Sequence, residues 1–264
     1  MFQKIGVDRL QEGLQTERFG RSILFRREVG STNEWAKELA ELGAGEGTVA
    51  IAETQTAGHG RLGREWFSPR GGLWVSVVLR PKMSAFEAVG LVFLAGLAVA
   101  EVLQEKFGLK VETKWPNDVL VNGKKVCGIL AEMSTKGRVV NFVVLGFGVN
   151  ANSPVEEVFP ESLKKVATSV EKELGQKVSI EELFKTLLEK LESKYDQCAE
   201  KGLAPLLTEW KKYAGFLGRK VEVKNGSEKL LGTASDVDCD GALVLRLEDG
   251  STRRVLAGDM SLRL

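Results

Sequence analysis

The chain has 264 residues, 43% of them hydrophobic, which is enough to bury a sizeable core in one large domain or in one domain with a small appendage. Its 37 basic and 36 acidic side chains give a net charge of +1, which excludes a global electrostatic attraction to nucleic acid or to an anionic membrane. The three cysteines lack CxxC spacing, so they indicate neither a disulfide framework nor a zinc site and fit a reducing cytoplasm.

The chain before the first predicted strand, Ser22–Val29, has room for one short helix within Gln3–Leu14. A helix-turn-helix needs two packed helices, so this segment excludes a DNA-reading module of that kind. The N-terminus shows no apolar segment followed by a cleavage site. The longest apolar run, Ala88–Ala100, is too short to span a bilayer and has the spacing of a buried helix.

A helix is predicted to begin after Ser31, because Ser31 and Glu34 have the S-x-x-E spacing of a capping box. The pattern predicts that this helix continues to Leu42. Ser31, Thr32 and Asn33 have two interpretations: they cap the helix, or they present donors and acceptors to a polar ligand. Both interpretations can hold together.

The segment Gly58–Trp66, called the glycine loop below, combines three glycines, two arginines, the sole histidine and a tryptophan. Glycines allow close approach of the backbone to a ligand, and guanidinium groups suit phosphate oxygens. The G-x-G-x-x-G spacing also matches a dinucleotide fingerprint, but a turn and the predicted strand Leu73–Leu79 follow it instead of a helix. We therefore interpret it as a loop that binds an anion attached to a ring; the alternative is a solvated surface loop.

The middle of the chain reads as a long buried helix followed by strands. Asn122-Gly123 is a strong hairpin signal, and Lys114 stands at the end of a strand before Pro116. Gly146 and Gly148 permit approach by a ligand or, equally, tight packing of neighbouring elements. The predicted elements are a helix at Phe86–Phe107, strands at Val111–Thr113, Val119–Val121, Val126–Met133 and Phe142–Val149, and helices at Ser179–Cys198 and Pro205–Tyr213.

From about Phe216 the sequence changes to short β-rich segments separated by Asn-Gly and Asp-Gly turns. This texture predicts a small barrel-like β-domain. We accordingly divide the chain into a domain over residues 1–215 and a second over residues 216–264. The predicted strands of the second are Val221–Val223, Leu230–Val237, Leu243–Leu247 and Arg253–Leu256.

Taken together, these motifs resemble those of biotin–protein ligases that lack a repressor domain, over essentially the whole chain. The segments that carry the resemblance are Ser31-Thr32-Asn33, Gln55-Thr56-Ala57-Gly58-His59-Gly60-Arg61-Leu62-Gly63-Arg64-Glu65-Trp66, Lys114-Trp115-Pro116-Asn117-Asp118, Gly128-Ile129-Leu130 and Gly146-Phe147-Gly148-Val149-Asn150. The implied fold class is α+β: a catalytic domain like that of class II aminoacyl-tRNA synthetases, with a mixed sheet and helices, and a C-terminal SH3-like barrel.

The resemblance also implies roles for individual residues. Lys114 and Arg61 would be catalytic. Biotin would be bound by Ser31, Thr32, Asn33, Gln55, Gly58, His59, Gly60, Arg61, Lys114, Gly128 and Leu130. ATP would be bound by Arg61, Arg64, Trp66, Lys114, Asn117 and Asn150. The residues that would bind the metal ion are left open. His59 stands where many relatives have arginine, and we hypothesise that loop closure weakens at high pH, where a neutral imidazole lacks that charge.

The implied activity is ATP-dependent formation of biotinyl-5′-AMP and transfer of biotin to a lysine of a biotin carboxyl carrier domain. ATP, biotin and Mg²⁺ are the expected ligands, and the expected protein is a cytoplasmic homodimer without nucleic-acid or membrane partners. A lipoate–protein ligase or octanoyl transferase is the nearest alternative, but the arginine pair before a triple glycine that is usual there is missing. A biotin-responsive repressor is disfavoured because no helix-turn-helix is predicted, and a non-enzymatic nucleotide-binding protein is the further candidate function.

Overall fold

A computed structural model describes residues 6–137 and 139–262. Its first sheet is mixed, with β1 and β2 parallel and every other neighbouring pair antiparallel. The strand order is β1-β2-β3-β7-β6-β5-β4. The strands are β1 (Ile23–Val29), β2 (Val49–Gln55), β3 (Leu73–Leu79), β4 (Val111–Lys114), β5 (Asp118–Val121), β6 (Lys124–Lys136) and β7 (Val139–Val149).

Helices cover both faces of this sheet. They are α1 (Val7–Gln11), α2 (Thr32–Glu41), α3 (Ala85–Ala88), α4 (Leu91–Phe107), α5 (Val155–Val158), α6 (Glu161–Lys164), α7 (Val170–Leu174), α8 (Ile180–Lys201) and α9 (Ala204–Lys211). Side chains alternate between faces along a strand, so Val49 and Ile51 join the core around α4 and α8, whereas Ala50 and Ala52 pack beneath α2. All seven residues of β3 are buried because both of its faces are covered.

The predicted helix Phe86–Phe107 is wrong in one respect, because it is two helices, α3 and α4, separated at Val89-Gly90. A Cβ at Gly90 would overlap the Leu203 side chain, so α4 begins where the segment before α9 crosses it. By length and composition Ala85–Phe107 could cross a membrane, but 72% of its most apolar window is buried inside the fold. A helix buried to this extent belongs to the core of the fold.

Two other sequence expectations can be compared with the described residues. The predicted helix within Gln3–Leu14 is confined to Val7–Gln11, and residues 3–5 lie outside the described ranges. The predicted hairpin after Val121 is confirmed: Asn122 and Gly123 have φ of 50° and 75°, the left-handed pair that a type I′ turn requires.

The second sheet is antiparallel and contains β8 (Lys220–Asn225), β9 (Glu228–Val237), β10 (Leu243–Arg246), β11 (Thr252–Val255) and β12 (Asp259–Leu262). Its order is β11-β10-β9-β8-β12. The sequence did not predict β12, whose four residues include a single buried side chain, Met260. So short a strand carries no alternation from which to recognise it.

The two sheets share one continuous hydrophobic core. Trp115 Nε1 donates to the Gly241 carbonyl at 2.9 Å, and Phe93 packs edge-on against Trp210, which contacts Phe216. The small C-terminal sheet is therefore packed directly against the segment that follows β4. The division of the chain between residues 215 and 216 stays a prediction.

Candidate functional site

A cavity of about 320 Å³ opens where α2, the glycine loop and the ends of β4, β6 and β7 meet. Asp259 and Met260 of the second sheet complete its wall. Most of the predicted site residues line this cavity. They are Ser31, Thr32, Asn33, Gln55, His59, Gly60, Arg61, Arg64, Trp66, Lys114, Asn117, Gly128, Leu130 and Asn150. The fold thus gathers into one place side chains that lie far apart in the sequence.

Gly58 is the one predicted site residue that does not line this cavity. A Cβ there would lie 2.6 Å from the carbonyl oxygen of Trp66 and 2.8 Å from Ser68 Oγ. The Trp66 N–H donates to the Gly58 carbonyl at 2.8 Å, so the two limbs of the loop lie against each other at this point. The structure explains the glycine by packing, and its predicted contact with biotin stays a prediction.

The start of α2 differs from the expected capping box, which is wrong. Ser31 precedes the helix but its side chain makes no capping hydrogen bond, and it lines the cavity. Gln55 Oε1 instead accepts from the Thr32 N–H at 2.7 Å and from Thr32 Oγ1 at 3.0 Å. The first turn of the helix is therefore tied to the end of β2, and Ser31 is left to face the cavity.

The buried amide of Asn33 lies between two strands. Its Oδ1 is 2.6 Å from Ser76 Oγ, and its Nδ2 donates to Glu132 Oε2 at 2.8 Å. A Cβ at Gly146 would overlap Asn33 Oδ1. The structure shows tight packing at Gly146, which also lines the cavity, and the approach of a ligand to this glycine stays a prediction.

The indole of Trp66 covers Gly128 and Gly148, the glycines of β6 and β7 nearest to it. A Cβ at Gly148 would overlap the indole, and one at Gly128 would lie 3.0 Å from it. Trp74 meets the indole edge-on, with ring centroids 6.3 Å apart. Trp66 Nε1 is buried and has no hydrogen-bond partner in the described part of the chain. The glycines therefore make room for Trp66, which is another packing role.

Lys114 is half-buried at the end of β4, and no carboxylate oxygen of the described residues lies within 4 Å of its amine. Burial lowers the pKa of Lys114, repulsion from Lys125 and Arg64 lowers it further, and Asp118 offsets part of the change. A cation held in this way gains most from an anion that enters the cavity. Lys114 is thus an unpaired charge on the cavity wall.

The two arginines of the glycine loop reach the C-terminal sheet. Arg61 donates to the Gly258 carbonyl at 3.3 Å and to Asn117 Oδ1 at 3.4 Å, and Arg64 forms an ion pair with Asp259. Burial lowers the pKa of Arg61, and Asp118 acts in the opposite direction. The loop is therefore anchored to a segment close to the end of the chain.

Sequence reasoning missed Lys125 and Asp118 as site residues. Both line the cavity, Lys125 Nζ lies 2.6 Å from Asp118 Oδ1, and the same amine lies 4.9 Å from the centroid of the Trp66 ring. The predicted strand began one residue after Lys125, which left that lysine in the turn. The register shift between β5 and β6, at Val119/Leu120, is the feature that the sequence did not reveal.

Asn150 follows β7 and is almost fully buried. Its Nδ2 donates to the Thr168 carbonyl at 3.0 Å, and its backbone N–H donates to the Val126 carbonyl. Its Oδ1 is buried without a hydrogen-bond partner in residues 6–137 and 139–262. One acceptor on the cavity wall is therefore available to a ligand that donates a hydrogen bond.

Comparison with known proteins assigns the chain to a family. Residues 25–150 match the model of the biotin/lipoate A/B protein ligase family, and residues 216–263 match that of the biotin protein ligase C-terminal domain. A bifunctional ligase/repressor of Bacillus subtilis is 34% identical over 98% of this chain and 79% of its own length. The chain belongs to the biotin protein ligase family.

Other relatives carry the ligase name alone. The biotin--[acetyl-CoA-carboxylase] ligase of Paracoccus denitrificans is 37% identical over 82% of this chain and 90% of its own. A solved biotin protein ligase of Aquifex aeolicus, in complex with biotin and ATP, has a TM-score of 0.79 and 30% identity, and covers 92% of this chain and 99% of its own. These likenesses confirm the predicted fold class, a class II synthetase-like catalytic domain with a small C-terminal β-domain, and an enzyme of the ligase class.

Proposed function

We propose that this chain joins biotin to ATP as biotinyl-5′-AMP and transfers the biotinyl group to one lysine of a biotin carboxyl carrier domain. The observation that carries the proposal is the half-buried, unpaired amine of Lys114 on the wall of the cavity. The Aquifex relative with 30% identity is solved with biotin and ATP, and the Paracoccus relative is named for its action on acetyl-CoA carboxylase.

The first step brings two anions together. A carboxylate oxygen of biotin attacks the α-phosphorus of ATP, the bond to the bridging oxygen breaks, and pyrophosphate leaves. Lys114 and Arg61 both line the cavity, where they would offset the repulsion and the charge of the leaving group. Lys125, which already faces Asp118, adds a third cation beside them.

Mg²⁺ is the metal that the family implies, and the cavity wall fits it. Asp118, Glu65 and Asp259 line the cavity, and carboxylate oxygens are ligands that Mg²⁺ takes together with nucleotide phosphates. When bound with ATP, the ion would supply further positive charge at the departing phosphates. Asp118 and Asp259 are the residues we propose to hold it, after exchange of their present partners Lys125 and Arg64.

In the second step the neutral amine of the acceptor lysine attacks the acyl carbon, AMP leaves, and the amine proton passes to solvent. Because the ordinary pKa of a lysine side chain is about 10.4, only about one lysine in a thousand is neutral near pH 7. His59 is the sole histidine of the chain. We therefore propose that catalysis rests on positioning and electrostatics, without a covalent enzyme intermediate.

The glycine loop would protect the adenylate from water between the two steps. Leu62 and Gly63 at its tip have φ of 58° and 69°, and Leu62 is 74% exposed. A tight, exposed turn of this kind can move as a unit about the contact between Gly58 and Trp66. Closure over the cavity would exclude water from the mixed anhydride.

The same proposal includes a cytoplasmic homodimer that lacks nucleic-acid and membrane partners. The three cysteines are unpaired, which fits a reducing compartment. The net charge of +1 gives no general attraction to polyanions.

The dimer has a candidate interface at β1. This strand is an edge of the first sheet, and an edge strand offers backbone groups to a second copy. Analytical ultracentrifugation of the chain with and without biotin tests the dimer.

The activity itself is tested by incubating the chain with biotin, ATP, Mg²⁺ and a biotin carboxyl carrier domain. We expect release of pyrophosphate and a mass increase of one biotinyl group on the carrier lysine. A parallel reaction contains lipoate and a lipoyl domain. Modification of the lipoyl domain alone, or of neither domain, would contradict the proposal and, in the first case, favour lipoate ligation.

A further inference from the structure

Three side chains that could bind a metal ion meet beside the cavity. Glu34 comes from α2, His59 from the glycine loop and Glu132 from β6. His59 Nε2 lies 3.6 Å from Glu132 Oε2 and 3.8 Å from Glu34 Oε1, and the three ligand atoms all lie within 4.8 Å of one another. Each residue belongs to a different element, so the cluster is a product of the tertiary fold.

These separations are close to those of a zinc site. Zinc binds imidazole nitrogen and carboxylate oxygen at about 2.0–2.2 Å in tetrahedral geometry, which places its ligand atoms roughly 3.3–3.6 Å apart. The distance from His59 to Glu132, 3.6 Å, lies within this range, and the distance to Glu34, 3.8 Å, lies just above it. The two carboxylate oxygens lie within 4.8 Å of each other, and a rotation of the exposed Glu34 side chain can bring its oxygen closer to both partners. A fourth position would remain open to water.

The charge of the cluster also calls for a cation. Among the described residues, no lysine or arginine nitrogen lies within 4 Å of a carboxylate oxygen of Glu34 or Glu132. The His59 imidazole is the basic group that lies within this distance of both carboxylates. With a neutral imidazole the group carries two negative charges. A divalent ion would neutralise both of them.

An outer partner already orients one of the ligands. Asn33 Nδ2 donates at 2.8 Å to Glu132 Oε2, the same oxygen that faces His59. Hydrogen bonds of this kind fix ligand carboxylates in metal sites. The backbone of His59 is also held from the loop side, because His59 and Glu65 form an isolated β-bridge across the two limbs.

We propose that Glu34, His59 and Glu132 bind one divalent transition-metal ion of the Zn²⁺ type, which ties the glycine loop to α2 and β6. The site is separate from the nucleotide's Mg²⁺, because its imidazole ligand suits Zn²⁺ and its relatives. A bound ion restrains the first limb of the loop next to Asn33. The ion thereby slows movement of the loop without entering the reaction.

The test uses the full chain, freed of metals by a chelator and without biotin or ATP, so it is independent of ligase activity. ZnCl₂ is titrated by calorimetry, and Co²⁺ is added as a spectroscopic probe. We expect one saturable Zn²⁺ site per chain and the visible absorption of tetrahedral Co²⁺. Glu132→Gln and His59→Gln should abolish both signals, whereas Glu41→Gln, an exposed glutamate near the end of the same helix as Glu34, should retain them.

Trypsin provides a second measurement, because Arg61 and Arg64 lie in the loop. Zn²⁺ should slow cleavage at these sites in the parent chain and leave the rate in Glu132→Gln unchanged. Absence of saturable binding in the parent would overturn the proposal. So would binding that persists in folded Glu132→Gln but is lost in Cys239→Ser, since that would place the ion at the exposed cysteine. Circular dichroism establishes that each variant is folded.

Discussion

The carboxylate of Glu192 and the amine of Lys114 are both removed from bulk water, and the fold treats them in opposite ways. Glu192 on α8 accepts from the backbone N–H groups of Glu17, Arg18 and Phe19 at 2.7, 2.7 and 2.9 Å. Burial alone raises the pKa of Glu192, but these bonds and the charge of Arg18 outweigh it and hold the pKa below its ordinary value. The same carboxylate thereby fixes the turn that leads into β1.

Lys114 has no comparable set of partners in the described residues, and burial holds its pKa below the ordinary value. The fold leaves it unpaired, although Asp118, its strand partner, is close enough to influence it. A satisfied buried charge stabilises the fold, whereas an unsatisfied one is stabilised by a ligand. The contrast separates the structural part of the molecule from the part that binds, and mutations can test it.

The largest expected effect is that of Lys114→Ala on formation of the adenylate. Removing the unpaired cation should lower kcat of this half-reaction by on the order of 10²–10³, as for other groups that stabilise charge in a transition state. Transfer from supplied biotinyl-AMP should fall much less. Pyrophosphate release and carrier labelling measure the two steps, with Lys110→Ala, an exposed lysine just before β4, as the control. Equal losses in both half-reactions would refute the assignment.

Glu192→Ala should reduce stability and leave the cavity unchanged. Three backbone donors lose their acceptor, which we expect to cost about 3 kcal/mol, or a fall in Tm of roughly 6–12 °C. Thermal unfolding by circular dichroism measures the change, and Glu200→Ala, exposed near the end of the same helix, provides the matched control. A variant that melts like the parent would show that the carboxylate does not stabilise the turn.

Arg61→Gly should weaken both the charge of the loop and its anchor to the Gly258 carbonyl. We expect the adenylate to escape about tenfold faster and to label lysines of bystander proteins, because a less strongly held loop protects it poorly. Mass spectrometry of a bystander protein in the reaction measures the leak. Arg70→Gly, whose arginine pairs with Glu53 outside the cavity, is the control. Labelling confined to the carrier domain, with the adenylate retained as in the parent, would rule out this role.

The smallest effect is expected from Lys114→Met in the absence of ligands. The pKa of Lys114 is lower in the folded chain than its ordinary value, so the charged amine lowers the stability of the fold at neutral pH. This cost disappears as the pH rises through the folded pKa and then above the ordinary one. The variant should therefore gain about 1 kcal/mol near pH 7, a rise in Tm of roughly 2–4 °C. Differential scanning calorimetry against Lys110→Met checks this. A lower Tm would mean that the fold stabilises the amine after all.

The sequence was informative where a motif is local. The apolar run of β3 and the Asn122-Gly123 turn lie where they were predicted, because a short apolar run between turn signals and a pair of left-handed turn residues act over a few positions. All the predicted site residues except Gly58 do line the cavity, whereas Asp118 and Lys125 line it without having been predicted. The roles of the predicted residues in binding biotin and ATP stay predictions.

What the sequence did not show depends on contacts between distant segments. The break at Gly90 coincides with the place where Leu203 packs against it, and the first turn of α2 is tied to Gln55 of β2 through the N–H of Thr32, while the Ser31 side chain makes no capping hydrogen bond. Lys125 joins the cavity through a register shift. None of these neighbours can be inferred from local periodicity, since each is brought close by packing alone.

Arg61 and the Gly258 carbonyl that accepts its hydrogen bond are 197 positions apart. Ribosomes synthesise chains from the N-terminus, so the glycine loop leaves the ribosome long before its anchor has been made. The loop of a nascent chain is consequently free of this restraint until β12 has paired with β8. The cavity is therefore complete only after Asp259 has been synthesised and β12 has paired with β8.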